Sequence, residues 1–205
     1  MPKIVDHEER RRRLGAAACA VLSRVGAAGT TVRAVAGEAG MPLATAQHYL
    51  PTRESMVRAA MAHLVDRVLM RARALPVGAT ALDTLRMAVL QVVPLDEERT
   101  VESRVWLVLT TEALVDEQIA GVMRANADDL RGNLVRLVDL ARRDGSVAAD
   151  LDVSRAAGDL ATLLDGITVR LLYAALSPAE ARTEIEAHLA RLAAPTPGPA
   201  GPGRR

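Results

Sequence analysis

The chain has 205 residues, half of them apolar, and 26 Lys and Arg stand against 25 Asp and Glu for a net charge of +1. One cysteine, Cys19, and three aromatics, Tyr49, Trp106 and Tyr173, exclude an internal disulfide, a cysteine-rich zinc site and an aromatic-rich core. The apolar half excludes disorder throughout, and no apolar run approaches the roughly 20 residues of a bilayer span, so no membrane partner is expected. Charge is unevenly spread: residues 1–75 hold 12 basic and 6 acidic side chains, residues 76–205 hold 14 and 19, so a front at +6 precedes a rear at −5. A basic front points to a polyanionic partner at that end.

The elements follow in chain order. Leu14, Ala17, Ala18, Val21, Leu22 and Val25 recur at helical spacing and predict a first helix over 6–25, with Cys19 off the stripe. The apolar stretch after Arg10–Arg13 is too short for a secretory leader, and Glu8 and Glu9 precede it, so the protein is expected in the cytoplasm. A loop over 26–30 leads to Thr31, a good N-cap for a short helix that is apolar on Val32, Val35, Ala36 and Ala39. Gly40 ends it, Pro42 suits the first turn of a third helix, and Leu43, Ala46 and Leu50 mark that helix's inner face. Pro51 breaks the third helix, and Thr52 caps a fourth that reaches about Leu75.

Beyond Pro76 the pattern predicts helices over about 79–93, 97–115, 116–143, 152–176 and 178–193. Near Asp116 nothing in the residues forbids one continuous helix. No stretch alternates like a strand, and residues 195–205, with four Pro and three Gly, read as a disordered tail. The expected class is all-α: a DNA-binding domain over 1–51, a larger helical domain over 52–194 for effector binding and dimerisation, and the tail.

Two short helices joined by a tight turn at Gly40 make a helix-turn-helix, whose second helix enters the major groove. With Leu43, Ala46 and Leu50 anchored inward, Ala44, Thr45, Gln47 and His48 face outward. Gln and His hydrogen-bond base edges, and Ala or Thr touches a thymine methyl. Thr31, Arg33, Tyr49 and Arg53 flank the helix, where hydroxyls and guanidinium groups meet phosphate. An ordinary helical hairpin is the plainer alternative from spacing alone.

These residues resemble the DNA-binding domain of TetR-family transcriptional regulators. The resemblance rests on Gly26, Thr30-Thr31, Val35-Ala36, Ala39-Gly40-Met41, Thr45, Tyr49-Leu50, Thr52-Arg53-Glu54 and Met56, in the family's order. Ala44 stands for the usual glycine, Gln47 for tyrosine, Leu50 for phenylalanine and Arg53 for lysine. The resemblance implies a repressor that binds double-stranded palindromic operator DNA as a homodimer and senses a small molecule in its rear domain. Its DNA contacts would be Thr31, Arg33, Leu43, Ala44, Thr45, Gln47, His48, Tyr49 and Arg53.

In the rear, Leu160, Leu164, Ile167 and Leu171 form one apolar stripe, with Val169, Leu172 and Leu176 on a second side, and Ile185 and Leu189 stripe the last helix. A helix apolar on two sides buries both, so Leu160, Leu164, Ile167, Leu171, Ile185 and Leu189 are expected at a dimer interface. Trp106, Glu102 and Asp165-Gly166 are similar to the betaine-type branch of the family. The candidate effector pocket is Leu64, Val68, Met87, Trp106, Met123 and Asn126, reached by the fourth helix, which the sequence singles out as the link between domains. Four scattered histidines and the lack of a phosphate loop or nucleophile elbow point away from an enzyme and from any cofactor or metal. The rival reading is a helical ligand-binding or interaction protein whose DNA-binding unit has decayed.

Overall fold

The computed structural model describes residues 2–194, with side chains from His7 onward. The described residues form α1 (Pro2–Gly29), α2 (Val32–Glu38), α3 (Leu43–Tyr49), α4 (Arg53–Arg73), α5 (Ala81–Val89), α6 (Glu97–Glu112), α7 (Glu117–Arg143), α8 (Val153–Leu172) and α9 (Pro178–Leu192). The segment read as a disordered tail lies outside the described residues.

Local chemistry sets most boundaries. Gly26, at φ 69° and ψ −178°, kinks α1 one residue past the end expected for it. Thr31 caps α2 by accepting the Ala34 N–H, and Thr52 and Ser55 cap α4 reciprocally. Between α2 and α3, Gly40 takes φ +60°, its N–H reaching Gly37 O and the Met41 N–H reaching Ala36 O. This is the paired closure that favours glycine at the left-handed position. Asp116 settles the doubtful break, because its carboxylate accepts the N–H groups of Gln118 (3.0 Å) and Ile119 (3.2 Å) and starts α7.

Several expected boundaries shift, among them the end of α6, which stops at Glu112, three residues early. Pro42 precedes α3 as its N-cap instead of lying in its first turn. Helix α5 starts at Ala81, after the Thr80 cap, and stops at Val89. Helix α8 stops at Leu172, four residues early, because Ala174 adopts φ 60° and the Ala175 N–H closes onto Arg170 O at 2.9 Å. That closure turns the chain so that Leu176, read as a continuation of the helix, is buried from the turn.

Two cores hold the bundle. The first joins α1, α2, α3 and the front half of α4 through Leu14, Ala18, Leu22, Val35, Ala46, Leu50, Val57 and Leu64, and it also takes Val105 and Leu109 from α6 and Ile119 and Val122 from α7. It therefore crosses the domain boundary expected at 51/52. The second joins α5, the rear of α7, α8 and α9 through Leu85, Val89, Leu134, Val138, Leu160, Leu164, Ile185 and Leu189. An isolated bridge, Val147 to Ala193, pins the end of α9 to the loop after α7. Among the described residues no helix is long and apolar enough to cross a membrane.

Candidate nucleic-acid interface and effector region

Helix α3 is seven residues long and fully buries only Ala46, with Leu50 buried just past its end. Ala44, Gln47 and His48 are exposed and Thr45 half-exposed, so the outward side is the one expected. Leu43 is half-buried and packs against the first core. Thr31 and Arg33 are exposed at the start of α2. Helix α1 braces the unit: Arg13 Nη2 donates to Ala39 O at 2.8 Å, tying α1 to the end of α2, and Arg24 pairs with Glu38 at 2.7 Å.

Tyr49 packs its ring on the first core while its hydroxyl is hydrogen-bonded to His7 Nδ1. His48 meets Tyr49 edge-on, with ring centroids 5.2 Å apart. Two imidazoles thus bracket the tyrosine at the rim of the recognition surface. Arg53, expected to meet phosphate, is paired with Glu112, the last residue of α6, and lies 3.9 Å from the Asp116 carboxylate. Sequence reasoning missed this contact, which spans 59 residues.

A second set of charges ties α4 to α6 further back. Arg71 is bidentate to Glu102, at 2.8 and 2.6 Å, and also reaches Glu98 at 3.3 Å. Arg67 pairs with Glu98 and lies 3.6 Å from Glu102. Arg71 and Glu102 are only 20 % and 14 % exposed, so this clasp is screened far less than a surface pair. A legible signal existed: Arg67 and Arg71 stand four apart on one helix, and Glu98 and Glu102 four apart on another. Burial, with the Glu102 carboxylate nearby, pushes the Cys19 thiol up to about 11. Burial, then the Arg67 charge, lowers His63 from its usual 6.5.

The six residues expected around an effector separate. Leu64 is buried in the first core, and Trp106 and Met123 pack against it. Val68 and Met87 are half-buried and belong to neither core, and Asn126 donates back to Val122 O in its own helix at 2.9 Å. An open cleft of about 430 Å³ lies elsewhere, among Pro94, Thr100, Leu171 and the turn from Ala174 to Pro178.

The expected dimer residues need correction. Leu160, Leu164, Ile167, Ile185 and Leu189 are all buried in the chain's own second core, and Leu171 is half-buried against it. Their stripe is spent within the monomer, so none of the five buried side chains is available to a partner. The outward side of α8 carries Asp159, Thr162, Asp165, Gly166 and Arg170 instead, with Val169 half-exposed.

A short helix braced by a crossing helix, with small and polar side chains outward and a helical bundle behind, defines a DNA-binding regulator of the helix-turn-helix class. The profile of the BetI-type transcriptional repressor C-terminal domain matches residues 81–194, more than half of the chain. The chain belongs to the TetR family of transcriptional regulators, with a BetI-type rear domain. It is 27% identical over 179 residues to the regulator PksA of Bacillus subtilis, covering 87% of this chain and 84% of that protein. It is 29% identical over 181 residues to the regulator BetI of Brucella anthropi, covering 87% and 89%. Among solved structures it is similar to a TetR-family regulator from Rhodococcus sp. (TM-score 0.85, 21% identity, 91% and 100% covered). A regulator from Saccharomonospora viridis in complex with choline is also similar (TM-score 0.74, 20% identity, 92% and 100% covered). The protein is a DNA-binding transcriptional regulator and not an enzyme; these relatives give the decayed-unit reading no support. Regulators of this family bind operator DNA, usually as dimers and with small-molecule effectors.

Proposed function

We propose that this chain acts in the cytoplasm as a homodimeric repressor, released from a palindromic operator by a small molecule that enters between the two cores. DNA contact falls to Thr31, Arg33, Leu43, Ala44, Thr45, Gln47, His48, Tyr49 and Arg53. The observation that carries the reading is the outward set on α3, small or polar at every exposed position while Ala46 and Leu50 anchor it. Gln47 and His48 read bases, and the flanking hydroxyls and arginines hold phosphates.

The effector region is proposed at a seam between the two cores, to be lined by Val68 and Met87, which belong to neither core, with Trp106 and the Arg71–Glu102 clasp from the helices on either side. A choline-like cation, as bound by the Saccharomonospora viridis regulator, fits this seam poorly. It would meet one indole where a cage of aromatics is wanted, and a carboxylate already shared by two arginines. An apolar effector with an acceptor group suits the arginines better. Dimerisation falls to the outward sides of α8 and α9 around Gly166 and Val169. A charge at Ile167 would therefore unfold the second core, whereas Val169→Glu would split the dimer, as sedimentation distinguishes.

Selection from a random duplex library tests the reading. The expected product is an inverted repeat with half-sites about 34–36 Å apart, or a multiple of it, and no enrichment would sink the proposal. On that site Gln47→Ala should cost about 1–3 kcal/mol and relax one position per half-site. A sequence-blind loss would demote Gln47 to a backbone contact.

A further inference from the structure

Arg53 opens α4, four residues after the end of α3, and is 45% exposed. Its guanidinium faces two carboxylates from the rear domain: Glu112, which ends α6, and Asp116, which starts α7. Those two acids frame the turn between the helices, so one guanidinium is met from both sides of that turn. The opposite end of the same two helices is joined by Arg67 and Arg71 with Glu98 and Glu102. Helix α4 is thus held to α6 by charge at both ends, and only the front end uses a residue that DNA also wants.

We infer that Glu112, seconded by Asp116, competes with the operator phosphate for Arg53 and so sets how tightly the protein holds DNA. The inference rests on the proposed phosphate role of Arg53. A guanidinium fork matches a carboxylate and a phosphate equally well in shape, but its donors cannot serve both at full strength. Operator binding therefore draws the guanidinium away from Glu112, and whatever the pair loses is subtracted from DNA affinity. The competition also gives the rear domain a handle on DNA that does not require α4 to tilt. Helix α6 carries Glu102 and Trp106, proposed above to line the effector seam, and Glu112 at its far end. An effector that draws α6 toward the front tightens the carboxylate's hold on Arg53, and one that draws it away frees the guanidinium for phosphate.

The test is a double-mutant cycle on the full chain, read as fluorescence anisotropy of the duplex that the wild-type chain selects from a random library. Glu112→Gln should tighten binding about two- to fivefold, the range set by an exposed ion pair. Asp116→Asn, whose amide still caps α7, should tighten it less and provides the second variant if the first folds poorly. Arg53→Ala should weaken binding, and on that background Glu112→Gln should bring no gain. Equal gains on both backgrounds would mean that Glu112 acts only as a distant negative charge and would overturn the competition. A loss of affinity in Glu112→Gln would also overturn it, making Glu112 a positioning residue for Arg53. Full affinity in Arg53→Ala would overturn the phosphate role itself, and the competition with it.

Discussion

The two cores are built on different plans. The rear core is built mainly of leucine, isoleucine and valine, with Ala141, Ala156, Ala157 and Ala181 among them, and all its buried members lie at residue 82 or beyond. The front core leans on small side chains, with Ala17, Ala18, Ala36, Ala46 and Ala60 among its buried members, and it takes Val105, Leu109, Ile119 and Val122 from far along the chain. The rear is self-sufficient, whereas the DNA-binding unit is completed by the domain that is meant to control it. Under the proposed control by an effector no separate transmission device is needed, because any shift of α6 or α7 is already a shift in the floor under α1 and α4.

The hardest test of that contrast is truncation. A fragment ending at residue 75 keeps every residue proposed to contact DNA but loses four buried apolar side chains of the front core, Val105, Leu109, Ile119 and Val122, and it should show no cooperative melt. A sharp transition would restore the 1–51 domain as an independent unit. Next in size are matched cavities. Leu109→Ala and Leu164→Ala each remove a fully buried leucine and should each cost about 2–5 kcal/mol. Denaturant melts should show similar losses, but Leu109→Ala should also weaken DNA binding, while Leu164→Ala should spare it wherever the protein stays folded. Equal effects on DNA would erase the contrast.

Gly15→Ala probes the tight crossing of α1 over α4. An added Cβ would sit 2.7 Å from Ala59 O, a backbone atom that cannot swing aside, so overpacking should cost about 1–3 kcal/mol. An unchanged melting temperature would show that α1 shifts freely. Acid should reach both cores first through histidine, because burial lowers His63 on α4 and His188 on α9 alike from the usual 6.5. The lowered His63 belongs to α4 at the front, so the unfolded chain takes that proton first and front stability starts to fall as pH drops below 6.5. At the rear, Asp144 accepts from Ser146 and from the Ala81 N–H and is held below its usual 3.8, so its contribution persists to lower pH and is lost only as pH falls past that value. Melts of His63→Gln should lose part of the early slope, which His188 shares, and those of Asp144→Asn part of the late one, which Asp83, Asp96 and Glu180 share; profiles identical to wild type would refute the assignment.

Much of this was legible in the residues. Thr31, Gly40 and Thr52 announced the helix-turn-helix because caps and left-handed turns are local chemistry, and the outward side of α3 followed from period alone. Helix α8 was read four residues too long because its left-handed closure is made by Ala174, a residue that carries no turn signal. The stripe of Leu160, Leu164 and Ile167 announced a buried face, but periodicity cannot say which chain buries it. The fourth helix was expected to be the sole link between domains, since nothing in the sequence reveals that α6 and α7 reach the front core. Arg53 looked like a phosphate ligand from its neighbours in the chain, and Glu112 lies beyond the reach of any local pattern.

The borrowed side chains of the front core also impose an order on synthesis. The helices that read DNA leave the ribosome first, yet their core lacks its last members until Ile119 and Val122 have emerged. At about 5–20 residues per second that interval lasts several seconds, during which Leu14, Leu22 and Leu64 have no floor to close against. A nascent chain of this kind reaches its DNA-reading shape only when much of its sensory half is already made, so a half-finished copy has no means of occupying the operator.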